Sequence, residues 1–290
     1  MKLQGILIDA ATPFDHSGAL YRAKVQYNLA KWNLTAAAGY VVAGATGEGP
    51  LLSAEERVEL WALAAAHTPE GKTLVAGVDA QGVRQAVELA RRAAEAGCRA
   101  VLAETPRYDP SLAVAVLYYR AVADQSPVPV FMASRPRGSG VDLDAETLLL
   151  LAQHPNIAGV VEYSGDVEKV RRVACDAPPQ FTLLAGDERV MWESLKAGAA
   201  GSLAAVACAA PYAAIALWEA FRTREEEAGI DWQARIAWPA ALVTARYGVP
   251  ALKYAMDLNA YYGGPPRLPS TVAPPQVKRE VEQAFRDLTG

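Results

Sequence analysis

A chain of 290 residues, 52 % hydrophobic and 21 % charged, has the apolar material for a large core and too little charge to remain disordered. A net charge of −4, with no block of basic residues, argues against a nucleic-acid or anionic-membrane partner. The opening Met1-Lys2-Leu3-Gln4-Gly5 lacks a secretory signature, no apolar run is long enough to span a bilayer, and Cys98, Cys175 and Cys208 are scattered, so a cytoplasmic protein with reduced thiols is expected.

In chain order, short apolar runs alternate with amphipathic stretches. The runs cover residues 5–11, 39–44, 73–79, 100–104, 128–133, 157–162, 181–186 and 201–207. Each is almost continuously apolar, as a strand buried on both faces must be. Eight such runs with intervening helices predict a (β/α)₈, or TIM, barrel of the α/β class rather than an open sheet. Ser53-Ala54-Glu55-Glu56 reads as a capping box opening a helix with Val58, Leu60, Trp61 and Leu63 on its apolar stripe. The pattern from Val83 to Ala96 stops at Gly97, and Asp144 caps a helix that Pro155 ends. After the eighth run only helical patterns remain, at 211–228, 232–247, 249–258 and 275–288. One supplies the eighth barrel helix and the others form an appended extension. Residues 1–210 would then hold the strands and most helices, with 211–290 part of the same structural unit.

The most informative loop is Gly44-Ala45-Thr46-Gly47-Glu48-Gly49, directly after the second run. Such glycines let backbone amides turn toward an anion. It is not a dinucleotide fingerprint or a P-loop, because the spacing and the Lys-Ser/Thr pair are missing. A plain strand-to-helix turn is the other reading, but in a barrel the loops after strands carry the chemistry. Gly44, Ala45, Thr46 and Gly47 are therefore candidates for holding a small carboxylate ligand. His16, His67 and His154 fall in loops or helices without a ligand cluster, so no metal and no cofactor are expected. Asp9 lies within the first run and Glu104 ends the fourth. Buried carboxylates need a partner or a purpose, and Arg107 and Arg135 are candidate partners.

The whole chain resembles the dihydrodipicolinate synthase / N-acetylneuraminate lyase family of class I aldolases. The resemblance rests on Gly44-Ala45-Thr46-Gly47-Glu48 followed by Ser53-Ala54-Glu55-Glu56-Arg57, on Thr12-Pro13-Phe14-Asp15, and on Thr105-Pro106 before Tyr108. Gly159 with Glu162 and Gly165, Leu184-Ala185-Gly186-Asp187, Gly198-Ala199-Ala200-Gly201 and Lys253 extend it. It implies a lysine before Glu162 that forms a Schiff base with pyruvate, and the chain has Val161 there. It also implies a hydroxyl at Ala45, a relay tyrosine at Ala133 and a substrate-gripping arginine near Gly138, with Arg135 and Arg137 displaced from that place. Thr46 and Tyr108 keep the family pattern, and the resemblance gives Tyr108 a role across a subunit interface. None of the lysines falls in a predicted strand or at its carboxyl end, and Lys72 precedes the third, at the opposite mouth. The resemblance therefore implies a lyase or aldolase-like protein for a small 2-oxo or sugar-derived acid that works without the lysine imine. Glu104 with Tyr108 would be the catalytic pair, and Gly44, Ala45, Thr46, Gly47, Arg135 and Val161 would line the binding site. A homodimer or homotetramer is expected. The alternative is a non-catalytic paralogue that binds a small acid or serves as an oligomer partner.

Overall fold

Runs apolar on both faces can be satisfied only between an inner and an outer layer, and they fold that way. The computed structural model describes Met1 and residues 3–288. Its strands are β1 (Gly5–Ala10), β2 (Gly39–Val42), β3 (Thr73–Val78), β4 (Ala100–Glu104), β5 (Val130–Ser134), β6 (Ile157–Glu162), β7 (Thr182–Ala185) and β8 (Gly201–Ala204). All pair in parallel in sequence order, and β8 closes on β1 through Gly5↔Gly201 to Ile8↔Ala204. The helices are α1 (Arg22–Asn33), α2 (Ala54–His67), α3 (Val83–Glu95), α4 (Leu112–Gln125), the single turn α5 (Pro136–Ser139), α6 (Ala145–Leu151), α7 (Val167–Asp176), α8 (Met191–Lys196), α9 (Pro211–Thr223), α10 (Glu226–Ala240), α11 (Val249–Leu258) and α12 (Pro275–Phe285).

Side chains alternate across a strand, so each strand sends one set inward and one outward. Leu7, Val41, Val75, Leu102, Phe131, Val161, Leu184 and Leu203, one from each strand, pack as an apolar plug inside the barrel. The outward set meets the helices in a second, larger cluster.

Local chemistry explains most element boundaries. Ser53 accepts from the Glu56 amide at 3.2 Å while the Glu56 carboxylate accepts from the Ser53 amide at 2.9 Å, the expected reciprocal cap. Asp144 caps α6 through the Thr147 amide at 2.8 Å. Strand β2 stops at Val42 because Ala43 takes a left-handed backbone, φ 59°, that cannot continue a parallel ladder. The apolar residues 206–208 wind into a 3₁₀ turn instead of prolonging β8.

The expected break between 228 and 232 is a correction: the chain turns at Arg224, φ 63°, and α10 runs through Gly229. Gly229 is no helix breaker here. A Cβ on it would lie 2.2 Å from the Trp192 ring, so the glycine is there to let the helix approach that indole. Past Ala240 the helix widens into a π segment, Ala241–Arg246.

The extension is tied to the barrel through charge. Lys253 on α11, 1 % exposed, places Nζ 2.5 Å from Glu48 Oε1 and 3.0 Å from the Pro265 carbonyl. The Arg267 amide donates to Glu48 Oε2 at 2.8 Å, and its guanidinium grips Glu56 at 2.6 and 2.8 Å.

Candidate active site

Above the apolar plug the inward-facing positions change character. Two residues beyond Leu7, Leu102 and Val161 on the same face come Asp9, Glu104 and Tyr163, and four beyond Phe131 comes Arg135. The carboxyl ends of four strands therefore aim polar groups at one point, the mouth where barrel loops also converge.

Arg135 is the centre of this layer. Its guanidinium carbon lies 3.8 Å from the centroid of the Tyr163 ring, and Nη2 is 3.5 Å from Glu104 Oε1. That pair is attractive but too long for a good hydrogen bond. Tyr163 reaches this position because its amide donates to the Ser134 carbonyl at 2.9 Å and because Gly186 leaves room. A Cβ on Gly186 would lie 2.5 Å from the phenol ring. Asp9 accepts from the Thr46 hydroxyl at 2.5 Å. Glu188, in the 3₁₀ turn after β7, accepts from the Val206 amide at 3.0 Å.

Much of this layer is left without a partner. Asp9 Oδ1, Glu104 Oε1, Arg135 Nε and Nη2, the Tyr163 hydroxyl and Glu188 Oε2 are buried and make no hydrogen bond. Such atoms are costly in a finished core and mark where a ligand or ordered water is to be met. Their titration follows their burial. Desolvation raises Asp9, against the pull of Arg135 and Thr46. Desolvation also raises Glu104, again opposed by Arg135. Glu188 is pushed up to about 8 by burial, partly offset by the Val206 amide. Burial likewise lifts the Tyr163 phenol well above its usual range.

The loop after β2 is poised over the same mouth. The Glu48 amide donates to the Ala45 carbonyl at 3.1 Å and the Gly49 amide to the Gly44 carbonyl at 2.9 Å. Among the described residues the amides of Ala45, Thr46 and Gly47 have no protein acceptor. The turn is held from behind, by the Thr12 hydroxyl on the Gly47 carbonyl at 2.5 Å and by the Glu48 carboxylate that Lys253 clasps. Opposite lies a cavity of about 230 Å³ lined by Arg135, Arg137, Tyr163, Asp187, Arg189 and Thr244, among others.

The sequence candidates distribute as follows. Gly44, Ala45, Thr46, Gly47, Glu104 and Arg135 come together at the mouth, above Val161. Val161 itself is 2 % exposed, pairs with Ala133 and Leu184, and belongs to the plug. Tyr108 does not join the cluster of its own chain: it is 89 % exposed. Arg107 is not the partner of Glu104, because it pairs with Asp79 at 2.8 Å. Lys2 lies outside the described residues, and among these no lysine sits in a strand. The buried Lys169 is committed to Asp142 at 2.5 Å and Glu162 at 3.3 Å. No group of three His, Cys, Asp or Glu suited to a metal occurs among the described residues. No helix there is long and apolar enough to cross a membrane.

Sequence reasoning passed over Glu188, Arg189 and Thr244. The first two carry a signal, since they follow Gly186 at the carboxyl end of a strand. Thr244 carries none, because it is brought to the cavity by the π segment of the extension.

Comparison with known proteins agrees with this architecture. The chain is 35 % identical over 237 residues to a 4-hydroxy-tetrahydrodipicolinate synthase of Stenotrophomonas maltophilia, covering 81 % of this chain and 80 % of that one. It is 31 % identical over 292 residues to a probable mitochondrial 4-hydroxy-2-oxoglutarate aldolase of Emericella nidulans, covering 98 % and 94 %. Two relatives with different reactions match at similar identity, so likeness alone does not choose the substrate. Among solved structures, a dihydrodipicolinate synthase of Bacillus anthracis superposes with a TM-score of 0.94 at 22 % identity, covering 98 % of both chains, a likeness of fold. A chloride-inhibited dihydrodipicolinate synthase of Acinetobacter baumannii in complex with pyruvate gives 0.93 at 25 %, covering 99 % of both. The model of the dihydrodipicolinate synthetase family matches residues 2–288, from the first strand through the last helix, and the chain belongs to that family.

Proposed function

We propose that the protein is a lyase of this family that makes or breaks a carbon–carbon bond in a small 2-oxo or sugar-derived acid without a lysine imine. One observation carries the reading: a guanidinium, Arg135, stacked on Tyr163 occupies the mouth above Val161, the position at which the family resemblance implies an amine. A guanidinium cannot form the imine, but it stays charged and offers a planar donor fork to a developing oxyanion.

The chemistry balances on these groups. The substrate carboxylate sits on the free amides of Ala45, Thr46 and Gly47. Glu104 takes the proton of a hydroxyl two carbons from the carbonyl. The bond between the hydroxyl-bearing carbon and the carbon next to the carbonyl breaks, an aldehyde leaves, and the electron pair moves onto the carbonyl oxygen as an enolate facing Arg135. A proton returned to carbon completes the 2-oxo acid. In this scheme Glu188, whose proton burial retains at neutral pH, supplies it. In a homodimer or homotetramer, Tyr108 of one copy would be covered by the next, the place the resemblance gives it.

Pyruvate with borohydride should leave no adduct by intact mass. One pyruvyl group per chain would overturn the imine-free route. Arg135→Gln should lower kcat by about 10²–10³-fold for whichever 4-hydroxy-2-oxo acid is turned over. Binding of 2-oxo acids without turnover of any hydroxy acid would instead favour the non-catalytic reading, which Val161 alone would suggest.

A further inference from the structure

One buried carboxylate at the mouth takes no part in that cleavage. Asp9, near the carboxyl end of β1, is 3 % exposed and stands on the inward face two residues above Leu7 of the apolar plug. An acid in such a place is costly unless its oxygens are met. One of them is: Oδ2 accepts from the Thr46 hydroxyl at 2.5 Å. The Asp9 peptide carbonyl is held from another side, by the Cys208 thiol at 3.0 Å. Oδ1 makes no hydrogen bond, and Arg135, the cation of this layer, pairs with Glu104 instead.

The open oxygen has a defined neighbourhood. A Cβ on Gly44 would lie 3.1 Å from Oδ1, so Oδ1 stands at the start of the turn that carries the free amides of Ala45, Thr46 and Gly47. β1 and β2 are adjacent in the barrel, whereas β4 and β5, which lead to Glu104 and Arg135, lie across it from β1. A ligand held by its carboxylate at the turn therefore shows Asp9 the atoms closest to that carboxylate. In the cleavage described, Arg135 faces the oxygen on C2 and Glu104 the hydroxyl on C4. The substituent on C3 is left for Asp9.

The chemistry of the acid selects that substituent. Burial raises Asp9 toward its neutral form, while the Arg135 guanidinium and the Thr46 hydroxyl pull it back. As a carboxylate Oδ1 only accepts, and as a carboxyl it can donate. Hydrogen or methyl serves neither form and would leave a desolvated oxygen unmet. An ammonium serves only the carboxylate, and a carbonyl only the carboxyl. A hydroxyl donates to the one and accepts from the other.

We infer that the substrate carries a hydroxyl on C3, received by Asp9 Oδ1, so that the acid released is 3-hydroxypyruvate. This inference rests on the function proposed above and narrows its substrates to 3,4-dihydroxy-2-oxo acids. The C4 hydroxyl gives its proton to Glu104, the C3–C4 bond breaks and the aldehyde leaves with C4. C3 takes a proton from Glu188 and becomes the CH₂OH of hydroxypyruvate. Asp9 gains and loses no proton in this step; it sets specificity.

Calorimetry on the full-length protein compares hydroxypyruvate with 2-oxobutanoate, which has a methyl in place of the hydroxyl, and with pyruvate. Hydroxypyruvate should bind about 10- to 100-fold tighter than 2-oxobutanoate. Asp9→Ala should abolish that preference by weakening hydroxypyruvate alone. Asp9→Asn, whose carboxamide both donates and accepts, should keep part of it. The comparison in the parent requires no variant to fold. Loss of the Thr46 partner would act through the turn on all three acids alike, which separates holding the turn from reading the hydroxyl. Equal binding of hydroxypyruvate and 2-oxobutanoate to the parent, a preference that survives Asp9→Ala, or an Asp9→Ala loss shared by all three acids overturns the inference and leaves the lyase reading intact. Failure of all three to bind sinks both.

Discussion

Glu188 shows how one buried carboxyl can be read from outside. Its ordinary value is 4.5, and burial raises it to about 8. The folded state thus holds a proton that the unfolded chain releases, and stability falls as pH rises from about 4.5 to about 8. Below that window the group costs nothing, and above it the cost is complete. Glu188→Gln should remove this slope, so its melting temperature should exceed that of the parent at alkaline pH and match it in acid. A parent and variant with parallel pH profiles would place Glu188 in solvent. Val161 invites the opposite experiment. Val161→Lys would put an ammonium into the apolar plug, two residues before the ring on which Arg135 already rests. Burial without a partner should cost on the order of 3 kcal/mol in urea denaturation, with no pyruvate trapped by borohydride. A stable variant that forms the adduct would mean that Arg135 swings away. These single residues were only partly legible beforehand. Asp9 and Glu104 announce themselves as carboxylates inside apolar runs. The role of Arg135 as their neighbour, rather than Arg107, depends on which side of the barrel wall each faces past the strand end.

The strands were readable to within three residues because a parallel strand buried on both faces has one solution, a run of apolar side chains. Parity along such a strand then separates plug from outer layer, and the same parity carried two residues further finds the charged layer. What parity does not reveal is the width of the mouth. Gly186 sets it, since its hydrogen is what faces the Tyr163 ring. Gly186→Ala would drive a methyl to within 2.5 Å of that ring. The ring and the guanidinium stacked on it should shift together, at a cost of about 1–3 kcal/mol in stability. Affinity for 2-oxo acids should fall with it, and near-ultraviolet circular dichroism should report the moved phenol. Unchanged affinity would detach Tyr163 from the site. The helices of the extension were harder to delimit, because Gly229 breaks an isolated pattern but fits an indole in the folded molecule. Packing that comes from 37 residues earlier in the chain leaves no trace in a local window.

Barrel and extension meet at a buried ion pair, Lys253 with Glu48. Truncating one partner strands the other charge, and Lys253→Met should cost about 3–5 kcal/mol. The double variant with Glu48→Gln should regain most of it, measured by denaturant midpoint. If the double variant loses the sum of the two single losses, the pair contributes no coupling. The pair also couples two rims of the mouth. Lys253 steadies the turn that presents the amides of Ala45, Thr46 and Gly47, while Thr244, just upstream on the same extension, stands in the opposite wall. The C-terminal helices thus act as a strap laid across the opening, fastened on both sides of the ligand. A bound acid would tighten the strap and an empty mouth would loosen it, so amide exchange in α11 becomes a gauge of occupancy at atoms that helix never touches.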